Sequence, residues 1–316
     1  MAAPIKGTKL SDLNINGTNG ADKLQGKDGN DFLFGGQGND DIDGGKGIDT
    51  AVYTGNYSDY SISFKGTGNN KVTVTDSIAS RDGTDGLKNV EFLKFNDALV
   101  DLQSNVTHFS DHTLDASSYQ GAGDPHPGTM WFNFPGSGNL PTHYNIAVAN
   151  DYDVELGLKI HHRGGADILP ASVDADGTAH YNVPAGQDPH PHSGDRAAWN
   201  FDFSVNTGLD GNTQTLDAFE FKIIIADNDG NSQTFDLQHL GPGNTPWLNT
   251  PPTGGFADED GTDAQLSQNS VNVGFGFLSS VFGPDHETAG EQYDIQLQAF
   301  SGNTLIASVH DVIVVV

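Results

Sequence analysis

The 316-residue chain contains no cysteine, so no disulfide can stiffen it. Positive charge is also scarce. Fourteen Lys and Arg stand against 42 Asp and Glu, a net charge of −28. Such a chain repels nucleic acid and anionic membrane surfaces and suits a cationic partner. No apolar run approaches the roughly 20 residues that span a bilayer. The opening residues, MAAPIKGTKLSDLNING, lack the apolar stretch of a Sec signal peptide. There is no His-Glu-x-x-His and no Gly-x-Ser-x-Gly, which excludes the zinc-protease helix and the serine-hydrolase elbow. Amphipathic stretches of helical period are missing as well, which points to an all-β chain.

Glycine, at 40 residues, is abundant, and part of it is strictly placed. From Gly17 to Val52 the chain repeats one nine-residue phrase four times: GTNGADKLQ, GKDGNDFLF, GGQGNDDID, GGKGIDTAV. Gly holds the first and fourth places in every copy, and Ile48 is an unusual filler in the last. Asp holds the sixth place (Asp22, Asp31, Asp40, Asp49), and an apolar residue the eighth (Leu24, Leu33, Ile42, Ala51). A fixed nine-residue period with glycine and aspartate locked to it predicts a parallel β-helix that binds calcium. Calcium is hard and takes six to eight oxygens from carboxylates and backbone carbonyls. Glycine lets the loop adopt backbone angles that a Cβ forbids and lets carbonyls crowd around an ion. The candidate calcium ligands are Asp22, Asp31, Asp40 and Asp49 by side chain. Gly17, Asn19, Gly26, Asp28, Gly35, Gln37, Gly44 and Lys46 would contribute mainly through backbone carbonyls.

These four copies resemble the RTX, or haemolysin-type calcium-binding, repeat family. The resemblance implies that two nonapeptides make one coil and that an ion sits between loops one coil apart. Loop 17–22 would then pair with 35–40, and loop 26–31 with 44–49. Thr18 and Lys27 depart from the second-place glycine. The family also implies export through a type I ABC exporter, without a cleaved N-terminal signal. Residues Asp311 to Val316, an acid followed by apolar residues, suit both such a signal and a final β-strand. On this basis the protein is expected outside the cell, where calcium would order the repeats.

Residues 53–103 alternate apolar and polar positions and are expected to form a β cap on the roll, giving a first domain of 1–103. All twelve histidines and all three tryptophans follow residue 107. Residues 104–316 carry short alternating segments separated by Gly, Pro and Asn-Asp turns. Examples are 129–134, 144–149, 154–160, 198–205, 219–225, 271–278 and 293–300. They predict an antiparallel β-sandwich or jelly roll in which Trp199, Phe201 and Phe203 share one face.

Three features of this second domain are candidate sites. His161, His162, His180, His190 and His192 form a histidine-rich set able to ligate a transition metal. The phrase Asp-Pro-His-Pro occurs twice, and Gly123-Asp124-Pro125-His126 matches a tetrapeptide at which some calcium-triggered bacterial modules cleave themselves. An internal duplication explains the same phrase. Acidic turns at 174–177, 227–230 and 258–263 suit either calcium or ordinary hairpin chemistry. The expected role is a secreted, non-enzymatic calcium-binding protein whose second domain binds surface polysaccharide or matrix. The alternatives are self-processing at Asp124–Pro125 and a metal-dependent enzyme built on the histidines.

Overall fold

The structure, a computed structural model, describes residues 3–64, 72–112, 143–162, 167–174, 176–186, 197–207, 216–237, 266–271 and 288–316, together with 214 and 282. The chain divides into two compact units, Met1–Thr107 and His108–Val316.

The first unit contains β1 (Ile5–Lys6), β2 (Ile15–Asn16), β3 (Lys23–Asp28), β4 (Phe32–Phe34), β5 (Asp41–Lys46), β6 (Thr50–Val52), β7 (Tyr60–Phe64), β8 (Val72–Asp76), β9 (Thr84–Lys88), β10 (Phe92–Lys94) and β11 (Ala98–Asp101). Strands β1, β3, β5 and β9 form one parallel row, and β2, β4, β6 and β10 form another. Each turn of the roll contributes one strand to each row. The register stacks like on like: Leu24 beside Ile42 beside Leu87, and Ile15 beside Leu33 beside Ala51 beside Leu93. None of these seven side chains is more than 5% exposed. Each large one contributes about 1.5–3 kcal/mol by leaving water.

The stretch 53–103 is more than a cap. Strands β9 and β10 add a fourth coil to the roll, parallel to β5 and β6. Between the third and fourth coils the chain makes the β7–β8 hairpin, which joins β9 antiparallel. Strand β11 returns antiparallel along β10. The aromatic rings of Tyr53, Tyr60 and Phe95 pack together near the start of this insertion, with Tyr53 and Phe95 stacked at 5.3 Å. Arg81 bridges Asp76 and Asp59 and lies over the Tyr60 ring, tying the hairpin base to the chain that re-enters the roll.

The chain enters the second unit along β12 (Val106–His112). The described strands beyond it are β13 (Tyr144–Ala149), β14 (Val154–His162), β15 (Asp167–Ile168), β16 (Ser172–Val173), β17 (Ala179–Val183), β18 (Trp199–Asn206), β19 (Glu220–Asp227), β20 (Ser232–Asp236), β21 (Leu266–Val271), β22 (Gln292–Ser301) and β23 (Thr304–Val315). One sheet runs β13-β14-β18-β21, with β15 also on β14. The other runs β16-β17-β23-β22-β19-β20 and is antiparallel except for the β17–β23 pair. β13 packs against β23, and β14 against β22 and β23. Residues 311–315 are thus an inner strand between β17 and β22.

Trp199, Phe201 and Phe203 share a buried face, as the alternation predicts. The intervening Asp202 and Ser204 are equally buried. The neighbouring β14 buries Lys159 and His161 on that same polar face. Burying charge is tolerated when it is paired. Lys159 meets Asp167 at 2.7 Å and lies over the Tyr144 ring, and His161 meets Asp202 at 3.0 Å.

Candidate metal centre

The chemistry of the first unit lies in the turns between its two rows of strands. Two positions show why glycine is needed there. A Cβ on Gly45, which has φ +115°, would lie 2.1 Å from the Lys27 carbonyl oxygen one coil earlier. A Cβ on Gly44 would lie 2.0 Å from the Asn89 carbonyl oxygen and 2.6 Å from Asp49 Oδ2. The coils thus approach so closely that carbonyl and carboxylate oxygens occupy the space a side chain would fill. Lys27 holds its second place with φ +91°, a strained angle for a residue with a Cβ. Its ammonium group donates to the Gly7 carbonyl.

The sixth-place carboxylates form a ladder. One oxygen of Asp31, Asp40 and Asp49 accepts the backbone N–H of an aspartate one coil earlier. Asp22 N–H donates to Asp40 Oδ1 at 2.8 Å, and Asp31 N–H to Asp49 Oδ1 at 2.9 Å. The second oxygens of Asp31, Asp40 and Asp49 are buried with no hydrogen-bond partner. These three residues are 0%, 2% and 0% exposed. Asp22 differs, since its Oδ2 accepts both the N–H and the hydroxyl of Thr18 at 2.7 Å. The departure from glycine at that place therefore gives this carboxylate a donor inside its own loop. Of the third-place residues, Asn19, Gln37 and Lys46 are exposed, and Asp28 faces the Lys46 ammonium at 3.6 Å. Their side chains turn outward.

Stacking these carboxylates raises their energy. Burial, then the carboxylates of Asp22 and Asp41, pushes Asp40 up to about 6 against the opposing backbone N–H of Asp22. Burial, then Asp31, Glu91 and Asp43, does the same to Asp49. Buried acid with unpartnered oxygens, set among close-packed carbonyls, is the donor set of a hard divalent cation. The residues present fit calcium. Asp31 and Asp49 on one row of turns, and Asp40 on the other, would hold such ions by carboxylate, and the first-place carbonyls by backbone oxygen. Bound calcium supplies the positive charge that turns mutual repulsion into attraction.

Three members of the ladder escape the nine-residue phrase. Asp12 N–H donates to Asp31 Oδ1 at 2.8 Å, Asp40 N–H to Asp85 Oδ1 at 2.9 Å, and Asp49 N–H to Glu91 Oε2 at 2.8 Å. A signal for Asp85 exists in the sequence. Gly83-Thr84-Asp85-Gly86-Leu87 reproduces the second half of the phrase, with glycine, aspartate and an apolar residue at the fourth, sixth and eighth places.

In the second unit, the three described candidate histidines lie on two strands. His161 lies on β14 with both ring nitrogens engaged, Nδ1 at 2.8 Å from the His162 carbonyl oxygen and Nε2 on Asp202. His162 is exposed. His180, on β17, contacts Asp174 at 2.8 Å. His190, His192, Asp124 and Pro125 lie outside the described residues, as do the segments 129–134 and 258–263. Among the described residues of this unit no three His, Asp or Glu side chains converge as a metal site. The turn 227–230 joins β19 to β20, and Asp227 Oδ1 accepts the N–H groups of Asp229 and Asn231. That carboxylate serves hairpin geometry.

The first unit is therefore a calcium-binding β-roll. Residues 16–51 match the RTX calcium-binding nonapeptide repeat in four copies. Calcium is the ion these repeats bind. Among solved structures, the chain is similar to the extracellular lipase LipA from Serratia marcescens, at 21% identity and a TM-score of 0.27. The likeness covers 39% of this chain and 21% of the lipase. No curated protein matches the sequence.

Proposed function

We propose that this is a secreted RTX-type protein whose roll takes its final order from calcium outside the cell, and whose second unit is a non-enzymatic binding module. The observation that carries the calcium-ordering step is the row of buried, unpartnered oxygens on Asp31, Asp40 and Asp49. Without a cation these oxygens oppose folding. Extracellular calcium modules bind at about 10⁻⁴–10⁻³ M, well above the cytosolic calcium level, so the roll stays loose until it leaves. A loose roll suits threading through a type I ABC exporter. For the second unit, a two-sheet fold suits binding to surface polysaccharide or matrix; this part of the proposal rests on fold analogy.

Hydrogen exchange on the full chain, resolved by peptide, tests the calcium step. Amides of residues 24–52 are expected to gain protection in millimolar calcium and lose it in chelator. Equal protection in both would refute calcium-driven ordering.

A further inference from the structure

Beyond the recognised repeats, residues 80–85 share the construction of a repeat loop. Five steps separate Ser80 from Asp85, as they separate Gly35 from Asp40. The fourth place is Gly83, with φ +83°, and a Cβ there would lie 1.8 Å from the Gly38 carbonyl oxygen. The same place in the preceding repeat turn, on the opposite row, is Gly47, whose Cβ would lie 2.0 Å from the Gly29 carbonyl oxygen. The fifth-place contact recurs too. Thr84 N–H donates to Asn39 Oδ1 at 3.0 Å, and Ile48 N–H donates to Asn30 Oδ1 at the same distance. Asp85 takes the ladder bond from Asp40 at 2.9 Å and is 2% exposed.

Asp40 supplies the independent observation. Its Oδ2 is buried, has no partner, and sits over Gly35, where a Cβ would lie 2.3 Å from it. Its Oδ1 receives the N–H of Asp22 from the preceding coil. The second oxygen is thus left free at a loop whose following neighbour is 80–85. The corner at 89–91 makes a contrast. Asn89 follows Lys88, the last partner in the β5–β9 register, and its carbonyl oxygen lies against Gly44, yet only two steps separate it from Glu91 where five separate Gly44 from Asp49. That corner is cut short, whereas 80–85 keeps full length.

We propose that residues 80–85 form a fifth calcium loop, and that a calcium ion binds between it and Gly35–Asp40 with Asp40 and Asp85 as its carboxylates. The proposal rests on the calcium reading of the repeats and extends the metal row across the β7–β8 hairpin. Calcium would then fasten the returning chain to the roll.

The test is calcium stoichiometry by equilibrium dialysis on the full chain, for wild type and Asp85→Asn. Asparagine keeps an oxygen for the Asp40 N–H. The variant is expected to bind one calcium fewer per chain. An unchanged stoichiometry overturns the proposal. Hydrogen exchange of wild-type residues 84–88 decides the matter should the variant fail to fold. Calcium-dependent protection there, together with 24–52, supports the site, and calcium-independent exchange of 84–88 beside a protected 24–52 overturns it alone. A wild-type chain that binds no calcium overturns both this site and the reading of the repeats.

Discussion

Replacing Asp49 with asparagine should move the stability of the roll in opposite directions with and without calcium. Asp49 is fully buried among Asp31, Glu91 and Asp43, and its pKa is pushed from 3.8 up to about 6. A folded-state pKa above the unfolded one means that stability present at low pH is lost as pH rises through about 6. At pH 7.5 the loss is complete. The difference corresponds to about 3 kcal/mol, which solvent screening reduces to about 2 kcal/mol. Asparagine removes the charge but keeps Oδ1 for the Asp31 N–H at 2.9 Å. Its amide points into the space over Gly44 that the Asn89 carbonyl also borders. In chelator at pH 7.5, Asp49→Asn is expected to be more stable by about 2 kcal/mol. Whatever protection the 24–52 amides keep in chelator would rise by up to roughly 30-fold. In calcium the order reverses, because a carboxylate ligand is gone, and the calcium midpoint rises by about tenfold or more. Peptide-resolved exchange in chelator and in calcium reads both effects. A variant less stable than wild type in chelator would refute the claim that these carboxylates oppose folding when metal-free.

Other perturbations test other parts of the molecule. Asp311 is fully buried, receives Asn145 Nδ2–H at 2.9 Å, leaves Oδ2 unpartnered, and is pushed by burial up to about 7. Its folded pKa is raised, so stability falls as pH climbs towards 7. Between pH 5.5 and 8 this group costs about 2 kcal/mol. Urea unfolding read by tryptophan, which occurs only after residue 107, should show that loss in wild type and much less of it in Asp311→Asn. Leu33→Ala removes a fully buried side chain stacked between Ile15 and Ala51 and should destabilise the calcium-bound roll by about 2–5 kcal/mol, measured by denaturant titration. Gly45→Ala combines an unfavourable φ with a backbone clash and should cost about 3 kcal/mol or more, raising the calcium needed for protection of residues 24–52.

The roll was legible because its four copies keep one period without a gap, so each glycine, aspartate and apolar residue marks its own place. Each ladder residue that stayed hidden breaks that period for a local reason. Asp12 stands three residues before its inward Ile15, whereas Asp31 stands two before Leu33, and one extra residue shifts the phase. Asp85 follows the β7–β8 hairpin, so no fixed spacing connects it to Asp49. Glu91 changes residue type and sits at a shortened corner. In the second unit, alternation identified the Trp199, Phe201 and Phe203 face. It could not reveal that the opposite face, with Lys159 and Asp202, is also buried, because charged residues at alternate positions look the same whether they meet water or each other.

The β7–β8 hairpin also bears on the order in which the roll assembles. Ladder partners within the first three coils lie 18 or 19 residues apart, but Asp40 and Asp85 lie 45 apart. Closing the longer span costs about 0.8 kcal/mol more in chain entropy, and the hairpin must itself be in place for β8 to flank β9. The early turns therefore zip first, each on the template of the one before. The last turn closes as a separate, later event, and the rate of that closure sets how soon the finished end of the spiral is sealed.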